Sequence, residues 1–193
     1  MTPPSELPPA GIRRGAVVWL TGLPSAGKST LAARLVELLR RWQVHAVALD
    51  GDVLRAGLCS DLGFSESDRR ENVRRAGEIA LLLAGAGTVA VGALISPFRS
   101  DRERIAATCK ERGIPFAEVY VNAPLAVCER RDVKQRYRLA RAGRLTAFTG
   151  IDSPYEPPLA PALELKTDLE PVEESARKLA MLALALAGGA NFT

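Results

Sequence analysis

Short apolar runs alternate along this chain with longer segments in which apolar residues recur every three or four positions. The short runs predict buried strands, and the longer segments predict helices. Strands are predicted over 16–20, 45–50, 88–95, 116–122 and 162–167. Helices are predicted over 30–42, 67–84, 100–112, 124–131 and 137–145, with a docked terminal helix over about 173–190. This alternation predicts an α/β fold in which helices cover both faces of a parallel sheet.

The stretch GLPSAGKST, residues 22–30, lies between the first predicted strand and the first predicted helix. It fits the pattern GxxxxGK[ST], which indicates a phosphate-binding loop in this context. Glycines let backbone N–H groups face a phosphate at the helix N-terminus. Lys28 would contact the β- and γ-phosphates of ATP, and the Ser29 hydroxyl would bind Mg²⁺. The candidate ATP-binding residues are Gly22, Leu23, Pro24, Ser25, Ala26, Gly27, Lys28, Ser29 and Thr30. A glycine-rich tight turn without a ligand is the alternative.

Polar residues follow the second and third predicted strands, where ligands bind in parallel α/β sheets. Asp50 and Asp52 flank one glycine. Such a pair can hold Mg²⁺ or take the proton of an attacking hydroxyl, and we assign the metal to Asp50 and the hydroxyl to Asp52. An Asp-Gly turn with a helix cap at Asp52 is the alternative. After the third strand, Ser96 could face a substrate phosphate, although Ser-Pro also commonly opens a loop.

Length and charge limit the organisation of the chain and its partners. The 193 residues fit one domain, which we place at 15–193, after a proline-rich tail over 1–14 without a signal-peptide pattern. The net charge is +4, but basic residues are interspersed with acidic ones, so we predict solvated helix faces and no nucleic-acid partner. Lys178 and the short apolar span near the C-terminus argue against a membrane segment.

Cysteine and histidine usage excludes several enzyme classes. Cys59, Cys109 and Cys128 form no CxxC pair, which predicts small buried residues in a reducing compartment, the cytoplasm, and gives no zinc site. His45 is the only histidine and precedes a strand, so a histidine base is not expected. The chain contains neither GxSxG nor HExxH, and hydrolases built on a triad or on zinc lack support.

Four further blocks complete a family pattern. They are GFSESDRRENVRR at 63–75, ISPF at 95–98, PLAVCERRDVK at 124–134 and FTGIDSPYEPP at 148–158. With the phosphate-binding loop and the DGD turn, they make the chain closely resemble the adenylylsulfate kinases, a P-loop kinase family, over about 15–167. The resemblance implies transfer of the ATP γ-phosphate to the 3′-hydroxyl of adenosine 5′-phosphosulfate in sulfate assimilation, giving 3′-phosphoadenylyl sulfate and ADP. It also implies a three-layer α/β/α fold, a five-stranded sheet of order 2-3-1-4-5 and a homodimer.

The matching positions imply roles for individual residues. Arg131 would lie near the ATP base, and the candidate catalytic residues are Lys28, Asp52 and Ser96. The candidate acceptor contacts are Asp52, Arg55, Phe64, Arg69, Asn72, Ile95, Ser96, Lys134 and Phe148. Arginines can hold the phosphosulfate by forked hydrogen bonds, and Phe64 with Phe148 can cover the two faces of adenine.

Ser96 matches a serine described in the family as a phosphoserine intermediate. Direct in-line transfer between two bound nucleotides needs no covalent enzyme intermediate, and the sequence shows no base next to Ser96. We therefore expect this serine to contact the ligand.

The segment 130–155 is rich in arginine and predicts a lid that closes over two anionic nucleotides and excludes water. The family usually reads KGLYKKARAGEIKNFTG in this region, whereas the chain reads KQRYRLARAGRLTAFTG. The substituted positions include Gln135 and Arg136, Leu139, Arg144 and Thr146. The phosphate-binding loop has Pro24-Ser25 where the family often has Ser-Gly, but its spacing is preserved and we expect function to survive.

Two other functions are compatible with parts of this pattern. Another small-molecule P-loop kinase would share Lys28 and Ser29 without needing the blocks around Phe64 and Phe148. A non-catalytic nucleotide-binding module could dispense with Lys28 or Asp52, and the chain has both.

Overall fold

The structure, a computed structural model, describes residues 14–188. Its strands are β1 (Ala16–Thr21), β2 (Ala46–Asp50), β3 (Val89–Ala93), β4 (Phe116–Asn122) and β5 (Leu163–Lys166). Its helices are α1 (Lys28–Arg41), α2 (Gly51–Ala56), α3 (Glu66–Gly85), α4 (Arg99–Glu111), α5 (Leu125–Arg131), α6 (Arg136–Arg141) and α7 (Val172–Leu186). The tail predicted over 1–14 lies outside the described residues except for Arg14, as do residues 189–190 of the predicted terminal helix.

The five strands form one parallel sheet of order β2-β3-β1-β4-β5, which confirms the predicted α/β class and strand order. β1 lies in the centre, and all six of its residues are buried. A strand buried on both faces has no polar side to display, which explains its continuous apolar run.

Helices cover both faces of this sheet. α1 and α7 pack against one face around a cluster that includes Leu35, Leu165 and Leu179. α3 and α4 pack against the other face around Trp19 and Ile105. The sheet is therefore the middle layer of a three-layer α/β/α structure, as predicted.

The strand register places the ends of three strands at one level. Asp50, the last residue of β2, pairs with Ala93, the last residue of β3. Ala93 in turn pairs with Leu20 of β1, one residue before that strand ends. The loops that follow β1, β2 and β3 therefore begin side by side at the carboxyl edge of the sheet.

Two local predictions are wrong. α6 ends at Arg141 and does not continue to residue 145, because Gly143 has a positive φ of 68°, a conformation typical of helix ends. The alternative helix cap at Asp52 is also misplaced. The N-cap of α2 is Asp50, whose carboxylate accepts from the backbone N–H of Asp52 at 2.9 Å.

The three cysteines are buried with free thiols, which confirms the prediction of small buried residues. Within residues 14–188, no helix has the length and apolarity that a membrane span requires. The same range contains no cluster of three or more histidine, cysteine, aspartate or glutamate side chains suited to a metal ion.

Trp19 packs tightly across the sheet against β3. It is fully buried, and Gly92 of β3 lies beside its indole ring. A Cβ built on Gly92 would lie 2.5 Å from Cε3 of Trp19. The Trp19 Nε1–H donates to Oγ of Ser96 at 3.1 Å, so the ring cannot shift without losing this hydrogen bond. Glycine at position 92 is thus required by packing.

Replacing Gly92 with alanine is expected to lower the free energy of unfolding by about 1–3 kcal/mol, because the new methyl group overfills a closed core. Urea denaturation measures the change. The control is Gly85→Ala, since no atom lies within 4 Å of a Cβ built there. That variant is expected to be as stable as the parent or up to about 1 kcal/mol more stable. Equal midpoints for the two variants would contradict the packing argument.

Candidate active site

The loop between β1 and α1 has the backbone conformation of a phosphate-binding loop. Gly22 has a φ of 156° and Gly27 a φ of 108°, and Gly27 is the N-cap of α1. A Cβ on Gly22 would lie 2.3 Å from the carbonyl oxygen of Val121, so only glycine fits there. Ser25 also has a positive φ, 60°, which costs a non-glycine residue about 1–3 kcal/mol. A glycine at position 25 would adopt this conformation without the strain.

Lys28 lies inside this loop. Its ammonium group is buried and donates to the carbonyl oxygens of Gly22 at 2.9 Å and Leu23 at 2.7 Å. Burial lowers the pKa of Lys28 to about 8, and the charges of Asp50 and Asp52 only partly oppose that shift. A lysine with this environment is stabilised in its charged form by an anion that enters the loop.

Ser29 and Asp50 together form an oxygen-rich position at the start of α1. The Ser29 hydroxyl donates to Oδ2 of Asp50 at 2.5 Å. Hydroxyl and carboxylate oxygens are ligands that Mg²⁺ accepts, and this ion usually keeps several waters and substrate phosphates in its shell. The pair therefore fits a magnesium ion that accompanies a nucleotide, although Asp50 also caps α2.

Asp52 faces two cationic side chains. Lys134 comes from the segment before α6, and Arg136 is the first residue of α6. Lys134 Nζ donates to Oδ2 of Asp52, and Arg136 Nη2 lies 3.4 Å from Oδ1. Partial burial opposes ionisation of Asp52, but the hydrogen bond from Lys134 and the charges of both cations outweigh it and lower the pKa of the carboxyl group. The site therefore holds Asp52 as a carboxylate.

One cavity of about 600 Å³ extends from the phosphate-binding loop past Asp52 to α3. Most predicted site residues line it: Pro24, Ser25, Gly27, Lys28, Ser29, Thr30, Asp50, Asp52, Arg55, Phe64, Arg69, Asn72, Ile95, Ser96, Arg131, Lys134 and Phe148. Gly22, Leu23 and Ala26 do not, and Ala26 is fully buried beneath the loop. The structure thus brings the donor and acceptor candidates into a single space.

Three guanidinium groups surround the ring of Phe64. Arg55 lies 4.6 Å, Arg69 5.8 Å and Arg136 6.0 Å from its centroid. The ring is 45% exposed, and it lines the cavity. Burial lowers the pKa of Arg55 and of Arg69, the charge of Arg136 lowers both further, and the charge of Arg55 also lowers the pKa of Arg69. Crowded positive charges beside an exposed aromatic ring suit a ligand that is both aromatic and anionic.

Arg69 also links two segments of the cavity wall through hydrogen bonds. Its Nε donates to the carbonyl oxygen of Phe64 at 3.0 Å, Nη1 donates to Oγ1 of Thr149 at 3.2 Å, and Nη2 donates to the carbonyl oxygen of Ala147. These bonds join α3 to the segment that carries Phe148. The guanidinium of Arg69 therefore positions the two aromatic side chains in addition to any contact with a ligand.

Asn72 gives the cavity wall a buried hydrogen-bond acceptor that is unsatisfied within residues 14–188. Its side chain is only 5% exposed and lines the cavity. Its Oδ1 has no hydrogen-bond partner within residues 14–188. A buried acceptor without a donor costs about 1–3 kcal/mol, so a ligand that donates to Asn72 would recover this free energy.

Ser96 contributes to the wall, but its hydroxyl is engaged inside the protein. The residue is fully buried, with a φ of 39°. Its Oγ accepts from Trp19 and donates to the carbonyl oxygen of Leu94 at 3.4 Å. The contact of this hydroxyl with a substrate phosphate therefore stays a prediction, and in this structure the hydroxyl bonds to Trp19 and Leu94.

Phe148 is buried at the edge of the cavity. Its ring meets Tyr137 of α6 edge-on at 4.9 Å, and the Tyr137 hydroxyl donates to the carbonyl oxygen of Pro24 at 3.0 Å. Asp152 accepts from the backbone N–H groups of Ala147 and Phe148, at 2.8 and 2.5 Å. The predicted lid is therefore packed against the phosphate-binding loop.

Four cavity residues after β5 were missed by sequence reasoning: Thr167, Glu170, Val172 and Ser175. Arg131 contacts the first of them, since its Nη2 donates to the carbonyl oxygen of Thr167 at 2.5 Å and its Nη1 donates to Oγ1 of Thr167 at 3.1 Å. The end of β5 was the available signal, because ligands bind beyond the carboxyl ends of parallel strands.

Arg102 was also missed, because the prediction placed most arginines of this region on solvated helix faces. Its side chain is 2% exposed and lies behind the cavity. It donates to Oε1 of Glu118 at 2.5 Å and to the carbonyl oxygens of Ser96 at 2.6 Å and Glu156 at 2.8 Å. A buried guanidinium satisfied by three separate segments fixes the loop after β3.

The chain matches the family model described as adenylylsulphate kinase over residues 14–166. An adenylyl-sulfate kinase of Gloeothece citriformis is 50% identical over 167 residues, which is 86% of this chain and 93% of that protein. One from Saccharomyces cerevisiae is 49% identical over 162 residues, covering 84% and 80% of the two chains.

A solved structure agrees with these sequence relatives. The Mycobacterium tuberculosis APS kinase CysC, in complex with AMPPNP and APS, superposes with a TM-score of 0.85 at 44% identity. The match covers 90% of this chain and 99% of that one. The phosphate-binding loop, the cavity and the matched length lead to the same conclusion: the chain belongs to the adenylylsulphate kinase family.

Proposed function

We propose that this chain transfers the γ-phosphate of ATP to the 3′-hydroxyl of adenosine 5′-phosphosulfate, with Mg²⁺ as cofactor. The products are ADP and 3′-phosphoadenylyl sulfate, and the reaction serves sulfate activation. The observation that carries this proposal is the shared cavity, in which the phosphate-binding loop opens towards Asp52 and the cationic surroundings of Phe64. The named activity of relatives at about 50% identity supports the same reaction.

The donor half of the cavity binds ATP. Backbone N–H groups of residues 22–30 surround the phosphates, and the Lys28 ammonium neutralises their charge. Arg131 and the residues after β5 hold the base end of the nucleotide. Ser29 and Asp50 would hold the magnesium ion, which would supply positive charge next to the transferred phosphate.

The acceptor half orients the attacking hydroxyl. Asp52 is a carboxylate at the junction of the two halves, where it can accept a hydrogen bond from the 3′-hydroxyl and receive its proton during transfer. The proton moves from the hydroxyl oxygen to Asp52 while that oxygen forms its bond to phosphorus and ADP leaves. The remaining acceptor contacts are Arg55, Phe64, Arg69, Asn72, the wall at Ile95 and Ser96, Lys134 and Phe148.

A lid over about 130–155 covers both nucleotides in this proposal. Tyr137 and Arg131 of this segment donate hydrogen bonds to carbonyl oxygens of the phosphate-binding loop, and Lys134 donates to the carboxylate of Asp52. Excluding water would favour transfer to the acceptor over hydrolysis of ATP. We further propose that 15–193 is one domain and that the protein is a cytoplasmic homodimer. Three buried thiols are in keeping with a reducing compartment.

Purified protein supplied with ATP, Mg²⁺ and adenosine 5′-phosphosulfate is expected to release ADP and the 3′-phosphorylated product in equal amounts. Mass spectrometry identifies the product, and a screen of other hydroxylated acceptors is the control. ADP release that stays at its level without acceptor, but rises with another alcohol, would assign the chain a different kinase activity.

Asp52→Asn is expected to lower kcat by at least about a hundredfold, because the amide cannot take the hydroxyl proton. ATP binding, measured by calorimetry, should persist. Asp61→Asn is the matched control, since Asp61 pairs with Arg75 outside the cavity. Near-normal turnover of the Asp52 variant would remove this residue from the proton transfer.

Ser29→Ala is expected to raise the Mg²⁺ concentration for half-maximal turnover by about tenfold, since one oxygen ligand is lost. The measurement is initial rate against Mg²⁺ at saturating nucleotides. Ser60→Ala serves as the control, because Ser60 is exposed and lies away from the cavity. If both variants need the same Mg²⁺ concentration as the parent, Ser29 is not a ligand of this ion.

A further inference from the structure

Arg136 contributes a positive charge to the acceptor half of the cavity, although it is not among the acceptor contacts expected from the sequence. It is the first residue of α6, and its side chain lines the cavity. The side chain is 40% exposed, so its position is not dictated by burial in the core. It approaches both Asp52 and the ring of Phe64. Arg136 therefore spans the space between Asp52 and the ring of Phe64.

The neighbouring cations already have strong protein partners. Every nitrogen of the Arg69 guanidinium donates to a protein oxygen. Arg55 donates through Nη1 to the carbonyl oxygen of Gly63 at 2.7 Å. Lys134 donates to the carboxylate of Asp52. The acceptors in these bonds are backbone oxygens, the Thr149 hydroxyl and the carboxylate of Asp52. Some N–H donors of each of these three cations are therefore already used before a ligand binds.

Arg136 makes a longer hydrogen bond to the protein than the shortest one made by each of these three cations. Within the described part of the chain, its hydrogen bonding is one long contact of 3.4 Å from Nη2 to Asp52. At that distance and exposure an ion pair contributes little. The guanidinium retains most of its five N–H donors, and it is directed into a cavity where burial and repulsion already lower the pKa of Arg55 and Arg69.

We propose that Arg136 is a further acceptor-binding residue, whose guanidinium binds the anionic phosphosulfate group next to the Phe64 ring. The inference rests on the proposed function. An anion with several oxygen acceptors can take two parallel N–H bonds from this fork, which a lysine or a neutral residue cannot offer. Binding would also relieve the repulsion among the three guanidinium groups around Phe64.

The local backbone explains how Arg136 reaches this position. Gln135 precedes it with a φ of 55°, and Asp132 accepts from the backbone N–H of Tyr137 at 3.0 Å and from that of Arg138 at 3.1 Å. These bonds fix the first turn of α6 and direct residue 136 towards α2. Arg138, two residues later, is exposed and lies outside the cavity. The same short helix thus carries a matched arginine for comparison.

The test compares Arg136→Leu, Arg136→Lys and the control Arg138→Leu in steady-state assays of ADP release. Arg136→Leu is expected to raise the KM for adenosine 5′-phosphosulfate by about tenfold, the scale for loss of a charge-assisted hydrogen bond. The KM for ATP should stay within about twofold and kcat within about threefold of the parent, since Lys134 still donates to Asp52 in the variant and the lost contact from Arg136 is long. Arg136→Lys should fall between the parent and the leucine variant.

Three results would overturn the assignment. They are a KM for adenosine 5′-phosphosulfate equal to that of Arg138→Leu, an equal rise in both nucleotide KM values, and a loss confined to kcat. The second would mark a general defect of the lid, and thermal unfolding of all variants detects any loss of stability. A parent protein that is not stimulated by adenosine 5′-phosphosulfate would instead refute the proposed function, so the two failures are distinguishable.

Discussion

The parallel alignment of β1, β2 and β3 is the constraint on which the site depends. Because these strands end at one level, the phosphate-binding loop, the Asp50-Asp52 turn and the Ser96 loop start next to each other. Adjacent strands lie about 4.8 Å apart, so the sheet sets the lateral spacing of donor and acceptor. In the proposed reaction, the lid adds cover and charge, and the sheet sets the spacing between the loops that hold donor and acceptor.

Electrostatics in the cavity follow from this arrangement. Two polyanionic nucleotides in one space repel each other unless positive groups lie between and around them. In the proposed reaction, Lys28 supplies charge on the donor side, and the guanidinium groups around Phe64 supply it on the acceptor side. Asp52 keeps its negative charge between them because Lys134 contacts it. The protein therefore holds opposed charges ready before the substrates bind, which reduces the reorganisation needed during transfer.

The sequence was sufficient for the sheet order, the phosphate-binding loop and most residues of the cavity wall. Those features depend on local patterns or on a resemblance spread along the chain. The features that the sequence did not show are contacts between distant positions. The Ser96 hydroxyl is occupied by Trp19, 77 positions earlier in the chain, and Arg102 is buried because Glu118 and Glu156 converge on it. Neither partner can be identified from spacing, since tertiary packing decides which charged side chains leave the surface.

Burial of the three cysteines has a consequence for the chemical durability of the protein. Thiolates are the form that oxidants and alkylating agents attack. Desolvation raises the pKa of Cys109 to about 11 and also raises that of Cys128, while Cys59 is fully enclosed. Reagents therefore reach these sulfur atoms only when the surrounding layers open. The rate at which these thiols react with an added reagent would therefore report how often the packing around them opens.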